Sequence, residues 1–187
     1  CRSFPGQAGL ANDEHTEAWK PVAQVVHARD GVIFAQVMHG GRTSHPDLLC
    51  DAPVKAPSAL ATGGEVRGFG GKTEGVVPEA LTTEEIAQVI EEFRLSARRA
   101  IDAGLDGIEV HGANGYLLHE FMAPNSNVRE DEYGGSPANR ARLTAEIIRA
   151  VAEEIGADRT AVRISPQHNI QGIAEVDEDE TIATYQA

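Results

Sequence analysis

The segment Glu109-Val110-His111-Gly112-Ala113-Asn114-Gly115-Tyr116-Leu117-Leu118-His119-Glu120-Phe121 places an imidazole, a carboxamide and a phenol within six positions, at the end of an apolar β-rich run. An imidazole and an amide can hold a carbonyl oxygen between them and so draw electron density out of a conjugated double bond. A phenol two residues beyond the amide can deliver a proton. His111, Asn114 and Tyr116 therefore suggest polarisation and protonation of an activated alkene. Taken alone, Tyr116 reads better as a half-buried loop tyrosine.

Three short apolar runs each carry a polar residue that a packed strand normally avoids: Gln36 in the first, Glu109 and His111 in the second, Arg163 in the third. Burying an amide or a charge without a partner is costly. Glu109 is best read as an internal partner, for example of Arg163. For Gln36 and Arg163 a ligand is the stronger reading. A glutamine can donate and accept along the edge of a heterocycle, and an arginine offers a fixed positive charge to an electron-rich ring.

These residues need elements to position them. Asn12 to Arg29 predicts a helix with Ala18, Trp19, Val22, Val25 and Val26 on one side, kinked or started by Pro21 and stopped by Asp30-Gly31. Val32 to Met38 predicts a strand buried on both faces. Residues 39–81 are rich in Gly, Pro, Ser and Thr, and such an excursion is expected to be a functional lid or small hairpin. Thr82 to Ala103 is the clearest helix, with a Thr82/Glu85 capping box and apolar positions at Ile86, Val89, Ile90, Phe93, Ala97, Ala100 and Ile101. A strand over Asp106–His111, an irregular segment over 112–135, a helix opened by Ser136-Pro137 and closed by Gly156, and a strand over Thr160–Ile164 follow. The acidic run Asp177–Glu180 begins a last helix.

Strands separated by helices imply an α/β fold with a parallel sheet. A doubly wound sheet and a (β/α)8 barrel both satisfy that order. The barrel is favoured because the polar residues fall at or beyond the C-terminal ends of successive strands. The net charge of −13 argues against nucleic-acid partners. No apolar run approaches the roughly 20 residues of a membrane helix, and Cys1 to Leu10 lacks the basic start and apolar core of a signal peptide. Two cysteines, Cys1 and Cys50, fit free thiols in a reducing cytoplasm. His39, His45, His111 and His119 form no recognisable metal motif, Gly63–Gly75 lacks the Lys-Ser/Thr of a phosphate loop, and Ser44 and Ser165 lack a nucleophile setting.

Longer motifs carry a specific resemblance. Phe34-Ala35-Gln36-Val37-Met38-His39-Gly40-Gly41-Arg42-Thr43-Ser44-His45-Pro46 resembles the third-strand signature of the old yellow enzyme family of FMN-dependent ene reductases, and Gly107–Phe121 resembles its substrate-binding signature. Asn125–Ser136 with Asn139-Arg140-Ala141-Arg142 is similar to the family's next loop and helix, and Val162-Arg163-Ile164-Ser165-Pro166 to its fifth strand. The resemblance implies that Gln36 hydrogen-bonds the flavin pyrimidine and that Arg163 lies beside the N1 and O2 edge. It implies that His111 and Asn114 hold the oxygen of an α,β-unsaturated carbonyl or nitro substrate, that hydride passes from flavin N5 to the β-carbon, and that Tyr116 protonates the α-carbon. NADPH or NADH is the implied electron donor. Met38 departs from the Trp that many relatives carry before the His, which alters local packing without touching the reading of Gln36.

By the same resemblance, residues 1–187 are expected to be an incomplete TIM-barrel domain, about strands 3 to 5 with their helices, with 39–81 as an excursion within it. The first strand and the seventh and eighth, whose loops hold the FMN phosphate, are not visible. Cys1 in place of an initiator Met agrees with a fragment. Open strand edges invite association, a homo-oligomer included. The parent protein is thus expected to be an ene reductase and the chain alone inactive. The competing expectation is a non-catalytic remnant or interaction module that keeps the motifs without retaining flavin.

Overall fold

The computed structural model describes residues 2–187; Cys1, read above as a free thiol, lies outside them, and Cys50 is an exposed free thiol. Helix α1 spans Asp13–His27 and is capped by the Asn12 side chain, which accepts from His15 N–H at 2.9 Å. Pro21 lies inside it and neither starts nor ends it. Its expected apolar stripe is only partly covered. Ala23 is buried against Gly104 and Trp19 packs on the core, but Val22 and Val25 stay 42% and 59% exposed. Among the described residues nothing packs on that side.

Strand β1 is Phe34–Val37. Between it and the next helix lie two 3-10 turns, Gly41–Thr43 and Pro46–Leu49, and four short strands: β2 Lys55–Ala56, β3 Glu65–Gly68, β4 Gly71–Glu74 and β5 Glu79–Ala80. β3 and β4 pair antiparallel, and β2 pairs with β5 in parallel. Lys55 ties this region to the following helix through ion pairs to Glu79 at 2.9 Å and Glu85 at 2.6 Å. Helix α2, Thr83–Asp102, starts on the Thr82/Glu85 capping box. Strand β6 is Gly107–Gly112, helix α3 Leu117–Met122, helix α4 Pro137–Ile155 behind an N-cap at Ser136, strand β7 Thr160–Ile164 and helix α5 Glu178–Gln186.

The central sheet has the order β1-β6-β7, all parallel. Its register sets Glu109 between Gln36 and Ala161, and His111 beside Arg163. Side chains alternate across a strand, so the sheet has one apolar and one polar face. Ala35, Ile108 and Val110 turn to the helices, where they meet Phe93, Ala97 and Ala100 of α2, Leu143, Ile147 and Val151 of α4, and Leu117, Leu118 and Phe121 of α3 in one core cluster. Each large side chain fully buried there contributes about 1.5–3 kcal/mol before entropy is charged. The other face carries Phe34, Gln36, Glu109, His111 and Arg163. It is not buried as the sequence expectation for β1 required: Phe34 is 42% exposed, and Gln36 is exposed as well. The apolar reading of Val32–Met38 failed because Gln36 and Phe34 share a face that no described element covers.

Candidate active site on the polar face of the sheet

Glu109 stands at the centre of the polar face. Gln36 on β1 donates from Nε2 to Glu109 Oε1 at 2.5 Å, and Arg163 on β7 approaches the same oxygen at 3.8 Å. Glu109 is therefore the internal partner that its place on a packed strand demanded. Neither neighbour is used up by it. Gln36 keeps its carbonyl, and Arg163 is 56% exposed with only this long contact as an ion pair. An amide and a fixed cation on either side of one carboxylate, on an open face, suit a flat heterocycle with oxygen and nitrogen along its edge.

His111, two residues beyond Glu109 on the same face, is 4% exposed; only a weak main-chain interaction with Ala113 reaches its ring, and neither ring nitrogen makes a hydrogen bond of normal geometry among the described residues. A buried polar group without a partner calls for an explanation, and a ligand atom supplies one. Burial, reinforced by the positive charge of Arg163, lowers the imidazole pKa below its usual 6.5. The ring is thus neutral at pH 7 and can offer one N–H. Tyr116 meets it edge-on, with ring centroids 5.2 Å apart and planes at 62°.

Between them the chain turns tightly. Asn114 has φ +55° and Gly115 φ +79°. A Cβ on Gly115 would lie 2.8 Å from Cβ of Gln171 and 2.9 Å from the Ile170 carbonyl, so glycine is required both for the turn and for the close approach. Tyr116 then caps α3, whose six residues are all buried. The turn is fastened from below. Gly115 N–H donates to His119 Nδ1 at 3.0 Å, which leaves the proton on Nε2, 3.4 Å from Glu175 Oε1. Burial raises the Glu175 carboxyl, but the His119 ring nitrogen facing it and the hydrogen bond from the Gln167 N–H outweigh that and hold its pKa below the ordinary value. It is fastened from the side as well: Asn114 N–H donates to Ser165 Oγ at 2.9 Å, and its carbonyl accepts from Gln171 Nε2 at 2.8 Å.

The residues before the turn are equally tied. Arg42 donates to the carbonyls of Leu60, Ala61 and Gly172, at 3.4, 3.3 and 2.9 Å. Its own N–H donates to Glu120 Oε1 at 2.8 Å. Glu120 is fully buried, and desolvation outweighs the attraction of Arg42, raising its carboxyl well above the usual range.

A sequence profile of the NADH:flavin oxidoreductase / NADH oxidase family matches residues 1–186. The chain belongs to that family. Within this flavin oxidoreductase family it is 47% identical over 161 residues to a putative 12-oxophytodienoate reductase 9 of Oryza sativa, covering 84% of this chain and 36% of the rice protein. It is 42% identical over 181 residues to a probable flavin mononucleotide-dependent alkene reductase of Leishmania infantum, covering 94% of this chain and 50% of that one. The fold superposes on an old yellow enzyme homologue from Zymomonas mobilis with a TM-score of 0.93 at 38% identity, over 97% of this chain and 51% of the other. The chain thus spans about half the length of the relatives it matches, and its fold is α/β, a partial (β/α)8 barrel of about strands 3 to 5.

All five residues singled out from the sequence lie on or just beyond the polar ends of β1, β6 and β7. Gln36 and Arg163 flank Glu109, and His111 and Tyr116 are in ring contact. Sequence reasoning missed the supports. Ser165 and His119 lie inside the motifs but carry no supporting role in the sequence reading; both hold the Asn114–Tyr116 turn. His168, Gln171 and Glu175 offered no signal, because they meet the turn across more than 50 residues of chain.

Proposed function

We propose that this chain carries the substrate wall and part of the flavin wall of an FMN-dependent reductase of activated C=C bonds, such as enones and nitroalkenes. The observation that carries the proposal is the buried, neutral and weakly partnered imidazole of His111, in ring contact with Tyr116 and beside the Gln36–Glu109–Arg163 strip. FMN, reduced by NADPH or NADH, supplies the hydride that reaches the β-carbon. His111 and Asn114 hold the substrate oxygen and take up the negative charge that develops on it. Tyr116 gives a proton to the α-carbon. Gln36 would hydrogen-bond the pyrimidine edge of a bound flavin, and Arg163 would set a positive charge beside the reduced ring. Glu109 keeps Gln36 and Arg163 in place.

Residues 1–187 are proposed as one incomplete barrel domain, with 39–81 as an excursion from it, in a protein of the cytoplasm. No helix among the described residues is long and apolar enough to cross a membrane. The test is a half-reaction. The full-length protein that contains residues 1–187, loaded with flavin, is reduced anaerobically with NADPH or NADH and mixed with 2-cyclohexenone. Reoxidation of the flavin with formation of cyclohexanone is the expected result. Failure of the full-length protein to retain flavin, or a reduced flavin in it that stays reduced, would contradict the proposal and favour a non-catalytic interaction module.

A further inference from the structure

Asn114 is gripped by the segment that follows β7. Besides the main-chain bonds to Ser165 and Gln171, its side-chain Oδ1 lies 3.2 Å from Nδ1 of His168. The two main-chain bonds hold the backbone at φ +55°. The third contact concerns polarity. A carboxamide presents an acceptor on one side and a donor on the other, and half a turn about its terminal bond exchanges them. If His168 Nδ1 carries a proton, it donates to Oδ1 and leaves the NH2 group facing away. If Nδ1 is bare, it accepts from NH2, and the oxygen faces away instead. For a substrate oxygen the two arrangements are opposite: one offers a hydrogen bond, the other a pair of repelling lone pairs. His111 can supply one N–H, so a second donor has to come from Asn114.

We propose that His168 is a positioning residue that donates from Nδ1 to Asn114 Oδ1 and so keeps the Asn114 N–H donor turned to the substrate oxygen. This deepens the proposed function and rests on its reading of Asn114 as an oxygen anchor. One stretch of chain then serves both partners of the reaction. Arg163 at the end of β7 addresses the flavin, and five residues later His168 sets the sense of the substrate anchor. His168 is exposed, so its replacement costs little folding stability and its effect can be read at the site.

The experiment titrates the flavin-loaded full-length protein with para-chlorophenol and follows the long-wavelength charge-transfer band that a phenolate stacked on oxidised flavin gives. His168→Asp, which only accepts, is compared with His168→Gln, which can donate, and with His168→Ala, each in the parent and in an Asn114→Ala background, at equal flavin content. The Asp variant is expected to bind the phenol about tenfold more weakly, the scale of one lost hydrogen bond. The Gln variant is expected to bind within about threefold of the parent, and more tightly than Ala, since it restores a donor. In the Asn114→Ala background the Asp penalty is expected to vanish. Parent-like binding by His168→Asp overturns the proposal, and so does a Gln variant no better than Ala. An Asp penalty that persists without Asn114 overturns it too, because the added negative charge would then act directly. A parent that gives no phenol band overturns the oxygen-anchor reading itself, and this inference with it.

Discussion

Tyr116 stands at the N-cap of α3 with its ring against His111, so the proposed proton donor and the proposed oxygen anchor are fixed relative to each other by one turn of chain. Tyr116→Phe removes only the hydroxyl and leaves that ring contact intact. It should slow flavin reoxidation by an enone by about 10²–10⁴-fold, the usual worth of a general acid, while reduction of the flavin by NADPH or NADH keeps its rate. Stopped-flow measurement of the two half-reactions separates these effects; equal rates of reoxidation in parent and variant would remove Tyr116 from the proton path. Gln36, His111, Tyr116 and Arg163 could be found in the sequence because a polar side chain on a strand, or just past its end, stands out against an apolar run. The left-handed backbone of Asn114 and its grip by Ser165, His168 and Gln171 could not. Those contacts join positions distant in the chain and leave no local pattern.

At the scale of elements, the periodic parts were legible and the irregular ones were not. α2 and α4 show their apolar stripes and caps in the sequence, and their bounds fall within a residue or two of expectation. α3 was hidden inside 112–135 because all six of its residues are buried and it has no polar face to set a period. The long loops hold their shape through arginines that donate to main-chain carbonyls. Arg42 reaches Leu60, Ala61 and Gly172; Arg129 reaches Pro57 at 2.9 Å and Leu81 at 2.6 Å; Arg140 reaches Met122 at 2.9 Å and Gly135 at 2.5 Å. Arg42→Ala strands three carbonyls and should cost about 3 kcal/mol, since a hydrogen bond to a charged group contributes roughly 1.5–3 kcal/mol and the three share one side chain. Chemical denaturation of parent and variant measures it, with early proteolysis near residues 60 and 172 as a companion sign; an unchanged midpoint would show the loops to be held otherwise.

Glu175 gives the same region a pH signature. Its folded pKa is depressed, so its contribution to stability is present above the ordinary glutamate value, near 4.3, and is lost as the pH falls through the lower folded value. Glu175→Gln should therefore be less stable than the parent at pH 7, by about 1–3 kcal/mol. The gap should close as the pH drops below about 4.3. Melting curves over pH 3–8 test the sign; a gap that widens toward acid would refute it.

At the scale of the whole molecule, among the described residues the sheet presents its polar face without a covering layer, and β1 and β7 each pair on one side only. Strands left open in this way favour association, and ring contacts without a rigid surround hold a cofactor poorly. The 187-residue chain by itself is accordingly expected to bind FMN weakly, since Gln36 and Arg163 address only the ring and the phosphate ordinarily contributes much of the affinity. Titration of FMN fluorescence with the purified chain should show little quenching, and NADPH oxidation with cyclohexenone should not exceed the blank. Stoichiometric retention with turnover would mean that the chain contains a phosphate site of its own.

In the proposed site His111 and Asn114 together hold an oxygen anion over the flavin. The most direct measurement of this compares phenol binding to the flavin-loaded full-length parent with binding to His111→Ala/Asn114→Ala, read from the charge-transfer band. With two donors gone from one oxygen, the account predicts a loss of affinity of at least about 100-fold, roughly 1.4 kcal/mol for each donor. Equal affinity in parent and double variant would place the anchor elsewhere and contradict the account.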